Sequence, residues 1–188
     1  MIKINDTLPE ITLEAFYQDK FEKINFADYR GKWLIVLFYP ADFTFICPTE
    51  LEEAAKMESK FKNEGAQLVS VSTDSAYVHK AWHDESAAIG KVKFPMLADP
   101  TGKVSRMFGS YIEDEGVSLR TTLIINPDQK LIAIDMHDNS IGRCIDEIYR
   151  KFQAAKFVHD NHGAIVCPAS WRPGEKTLKP GIDLVGKI

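Results

Sequence analysis

Continuous apolar runs separated by an amphipathic segment dominate the first half of the chain. The run WLIVLFY at residues 33–39 shows no alternation of polar and apolar positions, which predicts a strand buried on both faces. Apolar residues recur at helical spacing over residues 49–63, and QLVSVS at residues 67–72 predicts the next strand. A strand, a helix and a strand of these lengths form a βαβ unit, so the two strands should be parallel.

Weaker patterns surround this unit. The N-terminal segment predicts a hairpin that turns at residues 18–20, a helix should cover residues 76–89, and a short strand residues 94–98. TTLIIN at residues 121–126 and LIAIDM at residues 131–136 are separated by a Pro-Asp-Gln turn and predict a second hairpin. A further apolar stripe predicts a long C-terminal helix through Ile141, Ile145, Ile148, Phe152 and Ala155.

The last thirty residues, from His159 onward, are rich in Gly, Pro and Lys and lack periodicity. This composition predicts an extended tail that packs on another surface, such as that of another chain. The predicted elements together indicate an α/β protein with a thioredoxin-like fold, in which helices flank a central mixed sheet with an N-terminal hairpin and a C-terminal tail. We expect the thioredoxin-like domain to cover residues 1–158 and the tail residues 159–188. A fold of this kind does not by itself fix a function.

Composition narrows the class of protein. The 188 residues are 45% hydrophobic and 27% charged, which is typical of a soluble domain with a sizeable core. The net charge of −4 argues against a nucleic-acid partner, because binding phosphates needs a basic patch. No apolar run reaches membrane-spanning length, and the N-terminal stretch MIKINDTLPE does not resemble a secretory signal. We therefore expect no membrane association and a cytoplasmic location.

The three cysteines, Cys47, Cys144 and Cys167, form no CxxC pair and no zinc-binding pattern with histidine. We expect no metal, and any cysteine chemistry should be thiol chemistry between distant partners. The strongest candidate is Cys47, which lies between a buried strand and a predicted helix. Backbone N–H groups at a helix start favour a thiolate over a thiol. The alternative is a buried structural cysteine, a common role for a free thiol.

Neighbouring residues strengthen this candidate. Pro48 suits the first position of a helix, and Thr44 could hydrogen-bond the sulfur or an oxygen bound beside it. Pro40 would wall the pocket without offering an N–H group. Glu50 stands where a thioredoxin-type CxxC would place its second cysteine, which disfavours an electron carrier of that type. Glu50 could either cap the helix start or pair with an arginine.

The stretch YPADFTFICPTE contains a PxxxTxxC pattern and resembles the typical two-cysteine peroxiredoxins, the family that includes the peroxidase component of bacterial alkyl hydroperoxide reductase. The likeness continues through VSVSTD, HKAWH, DPTG, DEGVSLRTTLIINP, VCPASW and LVGKI. It implies that Cys47 attacks peroxide and becomes a sulfenic acid, with Pro40, Thr44 and Arg120 as active-site residues. It also implies that Cys167 resolves the sulfenic acid by forming a disulfide with Cys47 of another chain.

The resemblance has consequences for partners and assembly. It implies a homodimer that assembles into a decameric ring, with the segment 75–78 as our candidate contact and with the tail packed on the partner subunit. A flavoprotein disulfide reductase, or thioredoxin in its place, would be the electron donor, and a peroxide the substrate. No cofactor is implied, because sulfur carries the redox change. A holdase or redox-signalling adaptor is the second hypothesis, which catalytic turnover with a reductant would distinguish.

Several residues receive ordinary structural interpretations. Cys144 has no counterpart in the family pattern and is predicted to be a small residue of the C-terminal helix. DPTG at residues 99–102 predicts a turn, and Trp82 should belong to the core. The five histidines show no ligand spacing.

Overall fold

The computed structural model describes residues 1–188, whose contacts divide the chain into two compact units, Met1–Ile145 and Asp146–Ile188. In chain order the elements are β1 (Thr12–Tyr17), β2 (Lys20–Asn25), β3 (Trp33–Phe38), α1 (Cys47–Asn63), β4 (Ala66–Ser72), α2 (Ala76–Glu85), β5 (Met96–Ala98), α3 (Lys103–Met107), β6 (Tyr111–Ile112), β7 (Val117–Ser118), β8 (Arg120–Ile125), β9 (Leu131–His137) and α4 (Ile145–Asp160).

Seven strands of the first unit form one mixed sheet in the order β2-β1-β5-β4-β3-β8-β9. The predicted parallel pairing of β3 with β4 is confirmed, and every residue of β3 is buried. Both predicted hairpins are present, as β1–β2 and β8–β9. Helix α1 packs on β4, and α2 packs on β1 and β5. The predicted α/β architecture, a central mixed sheet with flanking helices, is therefore confirmed.

Some element boundaries differ from the prediction. Helix α2 ends at Glu85 rather than at residue 89, because Ser86 adopts extended backbone and a separate 3-10 turn covers Ile89–Lys91. Strand β5 begins at Met96, and the β6–β7 hairpin was not predicted. The turn at residues 99–102 also has a capping role. The buried Asp99 carboxylate accepts hydrogen bonds from the backbone of α3, including Ser105 N–H at 2.8 Å.

The prediction for the C-terminal helix was wrong at its start. Helix α4 begins at Ile145, and Ile141 lies outside it with 57% of its surface exposed. Cys144 is likewise exposed and precedes the helix rather than belonging to it. The preceding segment is irregular because its Arg143 N–H donates to Glu50 of α1 at 2.7 Å rather than within a helix.

After α4 the second unit contains little regular structure. A single β-bridge joins Val166 to Leu178, and a 3-10 turn covers Ile182–Leu184. Trp171 is buried and its ring packs on Phe157, with centroids 4.9 Å apart. The predicted domain division at residue 158 and the packing of the tail on a partner stay predictions. No helix of the chain has both the length and the apolar character that a membrane span requires.

Candidate active site

Cys47 is the first residue of α1, two residues before the predicted start of the helix. Its side chain is completely buried, and Pro48 lies in the first turn. The backbone N–H groups of Thr49 and Glu50 bond back to the Ile46 carbonyl, which closes this turn. The sulfur therefore belongs to the first residue at the positive end of a 17-residue helix.

Arg120 at the start of β8 contacts this sulfur. Its Nη1 lies 3.3 Å from Cys47 Sγ and donates to Glu50 Oε2 at 2.9 Å, while its Nε donates to the Asn139 carbonyl at 3.0 Å. A guanidinium has five N–H donors in one plane. These contacts use three of them, so the two N–H groups on Nη2 stay available to an oxygen bound beside the sulfur.

Glu50 pairs with two arginines, which decides between the two interpretations of this residue. Its buried carboxylate accepts hydrogen bonds from the backbone N–H of Arg143 at 2.7 Å and from Arg143 Nη2 at 2.8 Å, in addition to the bond from Arg120. Burial is the largest influence on the pKa of Glu50 and raises it. The hydrogen bonds and charge of Arg143, with the charge of Arg120, outweigh burial and hold this pKa below its ordinary value.

The charges around Cys47 therefore do not cancel. Two guanidinium groups and one carboxylate leave one net positive charge beside the sulfur. Arg143 was missed in the sequence, because nothing in its local pattern separates it from an arginine on the surface. Arg120 was identified by resemblance alone.

Hydroxyl groups fix the strand that carries Arg120. Ser110 Oγ lies 2.7 Å from Thr121 Oγ1 and 2.6 Å from Ser118 Oγ, and the Leu119 N–H donates to the Ser110 carbonyl at 2.6 Å. All three hydroxyl-bearing residues are fully buried. Buried polar clusters of this kind are costly unless satisfied, so they hold one backbone arrangement around Arg120.

The loop between β3 and α1 carries Pro40 and Thr44. The Thr44 hydroxyl donates to the Ala41 carbonyl at 2.8 Å, which leaves the lone pairs of its oxygen available to accept a hydrogen bond. Phe43 has φ 54, a left-handed conformation that is unfavourable for a phenylalanine. Pro40 is half-buried at the start of the loop. Hydrogen bonds must therefore hold the loop in this strained form.

A buried network that the sequence did not reveal supplies one such support. The Tyr39 hydroxyl donates to Asp42 Oδ1 at 2.7 Å, and Asp42 Oδ2 lies 2.7 Å from His79 Nδ1. His79 Nε2 is 3.1 Å from the Leu97 carbonyl and must donate to it, because a carbonyl only accepts. Burial and the neighbouring Asp42 raise the pKa of Tyr39 well above its ordinary value. The network ties the loop to α2 and β5.

The second cysteine predicted for the chemistry, Cys167, belongs to the second unit. It is half-buried, and its thiol lies 3.8 Å from the Ala154 carbonyl of α4. Burial raises the pKa of this thiol, and the positive charge of Arg150 opposes the rise. Of the predicted site residues, the structure thus brings Cys47 and Arg120 into contact and places Pro40 and Thr44 in the preceding loop.

Two protein-family models and several known proteins match this chain. The model of the AhpC/TSA family matches residues 4–134, and that of the C-terminal domain of 1-Cys peroxiredoxin matches residues 158–183. Alkyl hydroperoxide reductase C from Pseudomonas aeruginosa is 43% identical over 188 residues and 100% of both chains. The protein of the same name from Amphibacillus xylanus is 46% identical over 176 residues, covering 93% of each chain.

Solved structures agree with these relatives. AhpC from Enterococcus faecalis superposes with a TM-score of 0.85 at 41% identity, covering 89% of this chain and 100% of that one. The reduced 2-Cys peroxiredoxin of Plasmodium vivax superposes with a TM-score of 0.91 at 31% identity, covering 96% of this chain and 94% of that one. The predicted thioredoxin-like fold and the resemblance are therefore confirmed.

Proposed function

The chain belongs to the AhpC/TSA family of thiol peroxidases, and we propose that Cys47 is the residue with which it reduces hydrogen peroxide and alkyl hydroperoxides. The contact of 3.3 Å between Arg120 Nη1 and the buried Cys47 Sγ carries this proposal. In the reaction the thiolate attacks one peroxide oxygen, an S–O bond forms and the O–O bond breaks. Cys47 becomes a sulfenic acid, and the leaving oxygen takes up a proton to give water or an alcohol.

The neighbouring residues would orient the peroxide and stabilise the charge that moves onto it. The two N–H groups on Arg120 Nη2 can donate to the peroxide oxygens in a fixed fork, because Asn139 and Glu50 hold the rest of the guanidinium. The Thr44 oxygen can accept the peroxide O–H, since its own hydrogen is committed to Ala41. This pairing would present one peroxide oxygen to the sulfur.

The second half of the cycle belongs to Cys167. Its sulfur would attack the sulfenic acid of another chain, which releases water and leaves an inter-chain disulfide. Two-fold symmetry gives two equivalent bonds per dimer. A disulfide reductase must attack this bond in every cycle, so the bond should be labile. We expect a flavoprotein disulfide reductase as donor, with thioredoxin as the alternative, and the cytoplasm as the location.

Assembly into a ring of five dimers is part of the same proposal. Large apolar side chains are exposed on the first unit, among them Tyr77 within the predicted contact segment 75–78 and Phe43, whose ring lies 6.1 Å from that of Trp82 in α2. Ile182, Val185 and Ile188 are exposed in the tail, which we expect to pack on the partner subunit. Sedimentation of reduced and peroxide-treated protein should show different species, since forming the disulfide must open the first turn of α1. Identical small species in both samples would contradict the ring.

A non-reducing gel of peroxide-treated protein tests the disulfide. The wild type should run as a dimer. Cys167→Ser should run as a monomer yet still consume one equivalent of peroxide, because the first step needs only Cys47. Cys144→Ser is the matched control and should run as the dimer. A monomeric oxidised wild type, or a dimer that survives in Cys167→Ser, would contradict the assignment.

A further inference from the structure

The segment 167–171 lies along one face of α4. Cys167 Sγ contacts the Ala154 carbonyl at one end of this segment. At the other end the Trp171 carbonyl accepts a hydrogen bond of 3.0 Å from Arg150 Nη1. Arg150 and Ala154 are four residues apart on α4, so they share a helix face. Arg150 therefore lies one helical turn from the point where the Cys167 thiol rests.

The Arg150 side chain is held in one orientation. Its Nε and Nη2 donate to the two carboxylate oxygens of Glu147, each at 2.9 Å. The Trp171 side chain, whose backbone carbonyl accepts from Arg150, is buried and packs on Phe157. Together with the bond to the Trp171 carbonyl, three of the five donors are engaged, which leaves two N–H groups of a fixed cation without a protein partner.

The charge of Arg150 acts on the nearby thiol. Burial raises the pKa of Cys167, and among charged groups it is Arg150 that opposes this rise. Glu147 and Glu175 are the acidic groups that act on the guanidinium itself. Glu147 holds it in place through two hydrogen bonds, and both carboxylates reduce its net effect on the sulfur.

We propose that Arg150 is a positioning residue for the resolving step: it holds the segment 167–171 on α4 and stabilises the Cys167 thiolate that attacks the sulfenic acid. This inference rests on the proposed role of Cys167. In the step the sulfurs of Cys167 and Cys47 form a bond and the S–O bond of the sulfenic acid breaks. The leaving hydroxide takes up the proton lost by the Cys167 thiol and departs as water, so no further oxidant is needed.

The size of the effect follows from thiol chemistry. Each unit by which the pKa of Cys167 rises lowers its thiolate fraction about tenfold, while the more basic thiolate regains about threefold in nucleophilicity. The net loss is about threefold per unit. Arg150→Gln, which keeps a donor for the Trp171 carbonyl, should slow disulfide formation about three- to tenfold. Arg150→Lys, which keeps the charge, should stay close to the wild type.

The experiment separates the two chemical steps. Reduced protein receives one equivalent of hydrogen peroxide, samples are quenched with an alkylating agent, and sulfenic acid and disulfide are followed by mass spectrometry. In Arg150→Gln sulfenic acid should form at the wild-type rate and disulfide more slowly. Lys156→Ala removes one positive charge from the same helix, at a residue that pairs with Asp160, and should form disulfide like the wild type.

A second readout distinguishes charge from packing. In a Cys47→Ser/Cys144→Ser chain Cys167 is the sole thiol, and the pH midpoint of its alkylation by iodoacetamide should rise in Arg150→Gln. Glu147→Gln removes the carboxylate that neutralises Arg150 and should therefore lower that midpoint. This variant provides a test if Arg150→Gln does not fold. If Arg150→Gln forms the disulfide at the wild-type rate, or forms it more slowly with the alkylation midpoint unchanged, the inference about Arg150 is wrong and the proposed function still stands. A wild type that forms no Cys47–Cys167 disulfide overturns the proposed function and this inference with it.

Discussion

Replacing Arg143 with methionine removes a charge from the site without removing any group that touches Cys47. Methionine keeps an unbranched side chain but also loses the guanidinium hydrogen bonds to Glu50, which retains the bond from the backbone N–H of residue 143, so the double variant described below separates charge from geometry. In the wild type the charges of Arg120, Arg143 and Glu50 sum to one positive unit. Without Arg143 the carboxylate cancels Arg120, and the site loses the net positive charge that stabilises a reacting thiolate and the charge moving onto the peroxide.

The structure bounds the magnitude. Contacts of 3.3, 2.9 and 2.8 Å run from Cys47 Sγ through Arg120 Nη1 and Glu50 Oε2 to Arg143 Nη2, so that nitrogen lies within about 9 Å of the sulfur. At an effective dielectric constant of about 20, a unit charge at that distance is worth about 2 kcal/mol. The side chains of Arg143, Glu50 and Arg120 are only 1–4% exposed, so solvent screens this term little. A cost of about 2 kcal/mol corresponds to about 20-fold, and because a less stabilised thiolate is also the stronger nucleophile, the expected loss in the rate of reaction with peroxide is about five- to 20-fold.

The assay is the second-order rate constant of reduced protein with hydrogen peroxide at neutral pH, measured by competition with a haem peroxidase. The double variant Glu50→Gln/Arg143→Met leaves Arg120 as the only charge of the three and should regain most of the rate. Arg106→Met is the matched control, because Arg106 pairs with Glu113 on the surface of the same unit. A wild-type rate in Arg143→Met refutes the charge argument. A double variant as slow as the single one shows that Arg143 acts through geometry instead.

Three further predictions concern the same site. Arg120→Ala should slow the peroxide step on the order of 100-fold, since losing charge-assisted donors costs about 3 kcal/mol; an unchanged second-order rate would refute the role of Arg120. Thr44→Val should lower kcat/KM about tenfold, whereas Thr44→Ser should keep most of the wild-type value, because the acceptor oxygen of the side chain matters and its shape does not. Equal values of kcat/KM in the two variants would count against this role. Because the pKa of Glu50 is lowered in the folded protein, its stabilising contribution is present above the ordinary value of 4.5 and is lost as pH falls through the lowered value. The Tm of the wild type should therefore fall more than the Tm of Glu50→Gln when the pH is lowered from neutral to below the pKa of Glu50. If Tm depends on pH equally in both proteins, Glu50 is not responsible.

The sequence predicted what depends on local pattern. The run at residues 33–39 predicted a fully buried strand, and β3 is buried throughout. The apolar run ends at residue 39 and apolar residues recur at helical spacing from residue 49, which placed Cys47 near the start of a helix. Both hairpins were predicted because turn residues separate two extended segments in each case.

What the sequence did not predict depends on contacts between distant segments. Glu50 and Arg143 meet across 93 positions, and Asp42 and His79 across 37, so no local spacing announces either pair. The misassigned Ile141 shows the same limit. Its place in an apolar stripe predicted a helix, but the Arg143 backbone N–H donates to Glu50, and this bond keeps the segment irregular until Ile145.

Peroxide turnover by Cys47→Ser with an excess of a small dithiol reductant tests the role of Cys47 most directly. This variant should consume no hydrogen peroxide above the uncatalysed rate, because no other thiol lies at a helix start beside Arg120. Cys144→Ser, the matched change at an exposed cysteine, should turn over peroxide like the wild type. Substantial turnover by Cys47→Ser, or its loss in Cys144→Ser, would contradict the assignment of Cys47 as the residue that attacks peroxide.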